Sequence, residues 1–311
     1  MSRPRLTVFT STIYPDLPRL WHACVTRALP PGEAVVEVFH DADAFAPLEE
    51  RLPGTVVLRR GPGRREFHEA YNDAVRRAST PYLAFVDTDV FLTSRALWPR
   101  LAEALVPQNV AAVAAVSRTQ AESHGTFAVV VKAAVYRDVL ERLPEGFFPG
   151  FDVPSAGAPP SSWRFRDAGD RMTEAVITSG HEVRLLDLGR EGELARFDAI
   201  TLTRRAAELF GERPLLRLLA ENDYYWHGVV GNAVLARLHD RLFPDGPRFG
   251  FRAPLGAALR RALRGRPGEV KVRLGYVARL ARAARRVAGF VRGNAPVYPP
   301  GTFQERRGGA G

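Results

Sequence analysis

The sequence predicts an α/β fold: a mostly parallel sheet flanked by helices, continued by a helical, basic C-terminal extension. Three observations predict it. Short apolar runs rich in β-branched and aromatic residues stand at 6–10, 35–39, 55–58 and 81–86, the pattern of strands covered on both faces. Helical patterns at 17–29, 48–52 and 67–78 separate these runs, and such alternation builds parallel sheets through right-handed crossovers. Finally, 14 basic and two acidic residues lie from Arg252 onward, so about +12 of charge sits in the extension and about −2 in the body, against a net +10.

The first strand continues to Thr12 and the fourth ends at Val86, both at the carboxyl edge where open α/β sheets bind ligands. Downstream, 93–106 reads as a helix capped by Thr93 or Ser94, and 111–116 and 127–131 as further strands. The Gly-, Pro- and Ser-rich stretch 145–162 reads as an irregular, functional loop. A helix at 168–179, a strand at 182–188 and a mostly helical 202–243 follow. The Gly/Pro-rich end of the chain reads as disordered. The expected division is a body over 1–245, with halves 1–92 and 93–245, and an extension over 246–311.

Composition excludes several classes. At 311 residues, 46% hydrophobic and 25% charged, the chain is neither disulfide-stapled nor disordered. The lone Cys24 excludes an internal disulfide and a cysteine-rich zinc site. No apolar run approaches a membrane span, and no signal-peptide pattern follows Met1. The expected location is cytoplasmic, with a peripheral place at the inner face of the membrane left open by the basic extension. Only Lys132 and Lys271 are lysines; every other basic residue is arginine.

The sharpest motif is Phe85-Val86-Asp87-Thr88-Asp89. A buried strand ends in two carboxylates at i and i+2, which reach one side of an extended segment. Two hard oxygen ligands suit Mg²⁺ or Mn²⁺, with phosphate and water completing the shell. The plainer reading is that both residues terminate the strand or cap the next helix.

Position adds weight. The strand ending in Thr10-Ser11-Thr12, the strand ending in His40-Asp41-Ala42-Asp43, the segment Phe67-His68-Glu69-Ala70-Tyr71-Asn72-Asp73-Ala74 and the Asp87-Thr88-Asp89 motif stand in one order. That order resembles the nucleotide-binding half of GT-A-fold glycosyltransferases, especially the family 2-like group. The resemblance is close over 6–92, looser over 110–200, and absent from the C-terminal third. It implies that Thr10, Ser11 and Thr12 line a nucleotide pocket and that Asp41, with Asp43 beside it, contacts base or ribose. It implies that Asn72 and Thr88 lie near the sugar diphosphate and that Arg65 pairs with phosphate. Asp87, Asp89 and His227 would hold Mn²⁺ or Mg²⁺. The donor would be a UDP, GDP or dTDP sugar, and the acceptor a carbohydrate, lipid-linked or other hydroxyl, with inversion. Thr-Ser-Thr-Ile-Tyr-Pro-Asp (10–16) departs from the family's usual start.

Inverting transfer needs a carboxylate to take the acceptor's proton. By the same resemblance Asp170 is the preferred base and Asp167 the second, with Glu174 one turn further. Against this stands a capping reading, since Asp167 and Asp170 open a helix at capping-box spacing. Arg64 and Arg65 also read as solvated loop charge, Asp41 as a turn residue, and Asn72 as a groove hydrogen bonder. Ser123-His124-Gly125-Thr126 is a candidate acceptor contact or a polar turn. His227 competes with a packed helix histidine, and Trp163, Tyr225 and Trp226 with core aromatics.

The segment 270–292 forms a basic helix with an apolar face of Val272, Tyr276, Leu280, Val287, Phe290 and Val291. Arg273, Arg279, Arg282, Arg285, Arg286 and Arg292 fill the rest. Such a helix suits an anionic membrane surface or the body of the protein. Nucleic acid is not expected, since the body is not basic. Two rival functions remain: a sugar-phosphate nucleotidyltransferase, which calls for a Gly-rich N-terminal loop that residues 7–16 lack, and a non-catalytic membrane-surface binding protein.

Overall fold

The strands that the apolar runs predict assemble around a crossover at the first of them. β1 (Leu6–Thr12) pairs in parallel with both β2 (Ala34–Asp41) and β4 (Tyr82–Val86), and β2 pairs with β3 (Val56–Gly61). Strand order therefore reverses between β1 and β4, and their carboxyl ends form the switch point where ligands of such sheets bind. The register Phe9↔Phe85 brings Thr10–Thr12 beside the segment after Val86.

The computed structural model describes residues 5–29, 32, 34–41, 56–61, 67–115, 124–155, 159–162, 164–186, 193–210, 213–246 and 248–293. The helix expected at 48–52, Asp43, Arg64, Arg65, Ser123, Trp163 and the end of the chain lie outside these residues.

The sheet has seven strands in the order β10-β6-β7-β4-β1-β2-β3. β6 (Val110–Ala115) and β10 (Glu182–Leu186) pair in parallel, while β7 (Ala128–Lys132) runs antiparallel to both β4 and β6. The reversed β7 brings its preceding loop, 124–127, to the same edge as the end of β4; the Asp87 N–H donates to Phe127 O at 3.1 Å.

Helices cover both faces. α1 (Leu17–Ala28) buries Leu17, Leu20, Trp21, Cys24, Val25 and Ala28, a stripe at helical spacing. α2 (Phe67–Arg77), α4 (Ala133–Arg142) and α5 (Asp170–Thr178) cover the other face, around Tyr71, Phe85, Tyr136, Phe147 and Met172. α3 (Leu97–Ala104) starts later than expected. Ser94 is not its cap; its hydroxyl accepts the Ala96 N–H, forming a turn ahead of the helix.

Two small antiparallel pairs complete the body. β5 (Val90–Leu92) pairs with β11 (Leu194–Arg196) in the register Val90↔Arg196. β8 (Gly150–Asp152) pairs with β9 (Arg164–Arg166), so the expected irregular loop contains one strand and pairs with the segment that follows it. α6 (Ile200–Phe210), α7 (Arg213–Glu221) and α8 (Asp223–Leu242) then form a helical layer.

The extension belongs to the same core. α9 (Leu255–Ala262) and α10 (Pro267–Arg292) bury Ala257, Ala258, Ala262, Tyr276, Leu280, Ala283 and Val287 in one cluster with α1, β5 and α8. The Trp226 indole N–H donates to Ala258 O at 2.9 Å. The apolar face of α10 thus seals the body, and Val272, expected on that face, is 73% exposed instead.

Candidate active site

The chain leaves β4 at Val86 and turns at once, with the Val90 N–H donating to Asp87 O at 2.9 Å. This turn sets Asp87 and Asp89, both half-buried, at the switch point, with Thr88 buried between them. The Tyr71 hydroxyl donates to Asp87 Oδ1 at 2.6 Å, and the Thr126 hydroxyl also donates to Asp87. Burial, the Asp87 charge and that hydrogen bond push the Tyr71 phenol well up, so it stays a donor.

The site is rich in negative charge. Burial raises the Asp87 carboxyl despite the Tyr71 hydrogen bond and the nearby Arg196 guanidinium. Asp89 is pushed up to about 7, by burial first and by the Asp87 charge second. Arg196 opposes this and Asp198 adds to it. Two neighbouring carboxylates removed from water with one guanidinium nearby are a poor arrangement by themselves and a good one around a cation.

Arg196 and Asp198 reach this place because β11 pairs with β5. The Phe197 N–H donates to Asp89 O at 3.0 Å, so the residues on either side flank Asp89. Arg196 Nε lies 3.2 Å from Asp198 Oδ1, and its guanidinium stands 4.3 Å from the Phe127 ring centroid. Ala199 comes next with φ 59°, the one non-glycine residue with positive φ among those described. From the extension, Arg279 pairs with Asp198 Oδ2 at 3.2 Å and lies over the Tyr276 ring at 4.7 Å. Through Arg279 and Asp198, α10 is tied to the segment that flanks Asp89. None of Tyr71, Arg196, Asp198, Tyr276 and Arg279 was singled out for the site by the sequence motifs.

The expected residues divide. Thr10 is fully buried with its hydroxyl unpartnered, and Ser11 is half-buried. Thr12 is engaged in the turn after β1, accepting the Tyr14 N–H at 3.2 Å. Asp41 ends β2 at the carboxyl edge. The Asn72 amide donates to Glu145 O at 3.1 Å and accepts the Phe147 N–H at 3.1 Å, clipping the loop after α4. Gly146 in that loop has φ +50° and approaches so closely that a Cβ would stand 2.3 Å from Asn72 Oδ1.

His227 is exposed on α8 and stacks on Tyr276 with ring centroids 4.1 Å apart, and burial lowers its pKa. Among the described residues no three of His, Cys, Asp and Glu converge as metal ligands. Trp226 is core, and His124 is fully buried.

Beyond the Asp87–Asp89 pair lies a second carboxylate pair. Asp170 Oδ2 accepts the Asp167 N–H at 2.9 Å, and Asp167 Oδ1 accepts the Ala168 N–H at 2.8 Å. Asp167 is not the helix cap as expected; Gly169 holds that place at φ +96°, where a Cβ would meet His124 O at 2.3 Å. The Asp167 charge adds to the raising of Asp87 by burial. Glu174 is engaged with Arg166 at 3.0 Å.

The β8–β9 pair leads into Asp167. Asp152 binds Arg166 and Arg171, which fixes the pair against α5, and the Arg166 hydrogen bond lowers the Asp152 carboxyl. Opposite one another on its outer face, Phe151 and Phe165 are 57% and 55% exposed with ring centroids 5.2 Å apart.

His124 gives a pH prediction. It hydrogen-bonds the Tyr136 hydroxyl, and burial lowers it from 6.5 to about 4. The unfolded chain binds this proton first. The resulting stabilisation, about 3 kcal/mol, is therefore complete above pH 6.5 and is lost as pH falls toward 4. Denaturant titrations across this range should show a steep loss for the wild type and a flatter one for His124→Phe; equal slopes would contradict it. His22, also lowered to about 4, keeps the same sign in both proteins.

No protein-family model matches the chain, and no curated protein matches it. Similar solved structures include the mannosyltransferase PcManGT from Pyrobaculum calidifontis in complex with GDP-Man and Mn²⁺, at 17% identity over 92% of this chain and 88% of that one, TM-score 0.41. Another is S. aureus TarS 1–349, at 12% identity over 91% and 82%, TM-score 0.42. A third is 4-diphosphocytidyl-2C-methyl-D-erythritol synthase from Anaerococcus prevotii, at 9% identity over 59% and 86%, TM-score 0.40. Likeness at these scores is loose, and the functional reading rests on the residues themselves.

Proposed function

We propose that the chain is a metal-dependent glycosyltransferase that moves a sugar from a nucleotide-diphospho-sugar to an acceptor hydroxyl with inversion. The observation that carries this reading is the desolvated Asp87–Asp89 pair at the switch point of the sheet, beside the ends of β1 and β2. The pair fits Mn²⁺ or Mg²⁺: it offers hard carboxylate oxygens, and among the described residues no third protein ligand converges, which leaves room for phosphate oxygens and water. Bound there, the metal supplies charge neutralisation on the leaving diphosphate.

The chain's own residues supply the rest. Ser11 and Asp41, with the unpartnered Thr10 hydroxyl, stand where a nucleoside is bound at the edge of β1 and β2. Arg196 and Arg279 bring guanidinium groups to the diphosphate side, both oriented by Asp198. The carboxylate pair Asp167–Asp170 takes the acceptor's proton as its oxygen bonds to the anomeric carbon and the nucleoside diphosphate leaves from the opposite face. Phe151 and Phe165 offer flat apolar faces to an acceptor ring two residues ahead of Asp167.

Two experiments test this reading. Thermal-shift screening of UDP-, GDP- and dTDP-sugars should show stabilisation by at least one donor that needs Mn²⁺; stabilisation by none would overturn it. With a donor in hand, the Phe151→Ala/Phe165→Ala double variant should raise the acceptor KM about tenfold or more while leaving donor binding intact. An unchanged acceptor KM would remove the aromatic pair from the site.

A further inference from the structure

Once its inner face is docked, α10 leaves an outer face that the catalytic reading does not use. Lys271, Arg282, Arg285 and Gly289 lie there, exposed and at helical spacing, along a helix of 26 residues or about 39 Å. Other cations of the extension are engaged: Arg261 and Arg273 with Asp223, Arg264 with Glu221, and Arg279 with Asp198. Among the described residues no carboxylate pairs with Arg260, Arg266, Lys271, Arg282 or Arg285.

Exposed apolar side chains stand beside one end of this cationic face. Leu263 is 66% exposed and Val272 is 73% exposed, with Leu259 exposed one turn before Leu263. The Arg273 guanidinium donates to Arg264 O, which holds the end of α9 beside the second turn of α10 and brings Leu263 and Val272 to the same end of the molecule.

We infer that the outer face of α10, with the exposed end of α9, docks on an anionic phospholipid surface. Guanidinium and ammonium groups meet lipid phosphates while Leu259, Leu263 and Val272 enter the boundary between headgroups and acyl chains. Nucleic acid fits less well. It matches the cations but gives the bare leucines and valine no partner, and the stripe carries no aromatic on which a base stacks. The contact differs from an immersed amphipathic helix, because Tyr276, Leu280, Ala283 and Val287 remain buried in the protein. Arg279, at the rim of the candidate site, lies two helical turns beyond Val272, so docking holds that rim close to the bilayer. The inference does not rest on the glycosyltransferase reading.

Co-sedimentation of the full-length protein with vesicles tests it. Vesicles of phosphatidylcholine with about one-third phosphatidylglycerol should bind the protein at least ~10-fold more tightly than phosphatidylcholine alone. Arg282→Glu/Arg285→Glu should lower that binding at least ~10-fold. Leu263→Asp/Val272→Asp should abolish the fraction that resists high salt. All four residues are exposed, so unchanged unfolding midpoints are expected. Should either variant misfold, Arg282→Gln/Arg285→Gln and Leu263→Ser/Val272→Ser replace it. No preference for anionic vesicles, or binding indifferent to both variants, would overturn the inference. So would tighter binding to a single-stranded RNA that the arginine variant loses and the leucine–valine variant keeps.

Discussion

Asp89→Asn is expected to lower Mn²⁺-dependent donor binding and turnover roughly 10²–10³-fold while making the metal-free protein more stable. The two effects share one cause. Asp89 is held beside Asp87 away from water, and its carboxyl is pushed up to about 7. Above that pH the folded, metal-free protein carries a charge that the unfolded chain carries more favourably. Removing the charge should stabilise the fold above pH 7, with the gain vanishing as pH falls and the wild-type carboxylate takes up its proton. If Asp89 only ended the strand, the substitution would leave donor binding and turnover unchanged. Denaturant titration in EDTA, read beside turnover, separates the two cases; a destabilised variant with normal turnover would refute the metal role.

Asp167→Asn is expected to lower kcat by about 10²–10⁴-fold with the donor KM nearly unchanged. The sequence favours Asp170 as base, but the geometry brings Asp167 forward. Asp167 comes after β9, two positions beyond the exposed Phe165, hence on the same face of an extended chain. Its charge reaches Asp87, and the Asp170 carboxylate is already turned back to the Asp167 N–H. Asp170→Asn should therefore show a smaller loss of kcat and a modest loss of stability, about 1 kcal/mol, from the weakened turn. A neutral Asp167→Asn together with a crippled Asp170→Asn would return the role to Asp170.

How far the residues announce this arrangement depends on the range of the interaction that fixes them. β1, β2 and β4 are legible because each is a short apolar run, and the Asp87–Asp89 pair is legible because it abuts one. Arg196 and Asp198 carry no such sign. They reach Asp89 only because three-residue β11 pairs with three-residue β5 about a hundred positions earlier, a contact with no local pattern. Tyr71 reads as one more core aromatic of α2, and only the direction of its hydroxyl gives it a task. Asn72 shows the reverse: its place in the motif order suggests a ligand contact, whereas Glu145 and Phe147 bring backbone to both ends of its amide.

The extension is the clearest case of ambiguity in the pattern itself. An apolar stripe at helical spacing serves a bilayer and a protein core equally well. The shape of α1, α8 and β11 decides it, and those elements cover Tyr276, Leu280 and Val287. The charge surplus from Arg252 onward therefore has two destinations, one inward through Arg279 to Asp198 and one outward through Lys271, Arg282 and Arg285.

The central claim is that Asp87 and Asp89 hold a divalent metal for a nucleoside diphosphate. Electron paramagnetic resonance of Mn²⁺ tests it without knowledge of the sugar or the acceptor. With wild-type protein and UDP, GDP or dTDP present together, the signal of free Mn²⁺ should fall beyond what the nucleotide alone removes, and it should be restored in Asp87→Asn/Asp89→Asn. An equal signal for the wild type and the double variant with every nucleotide would contradict the account.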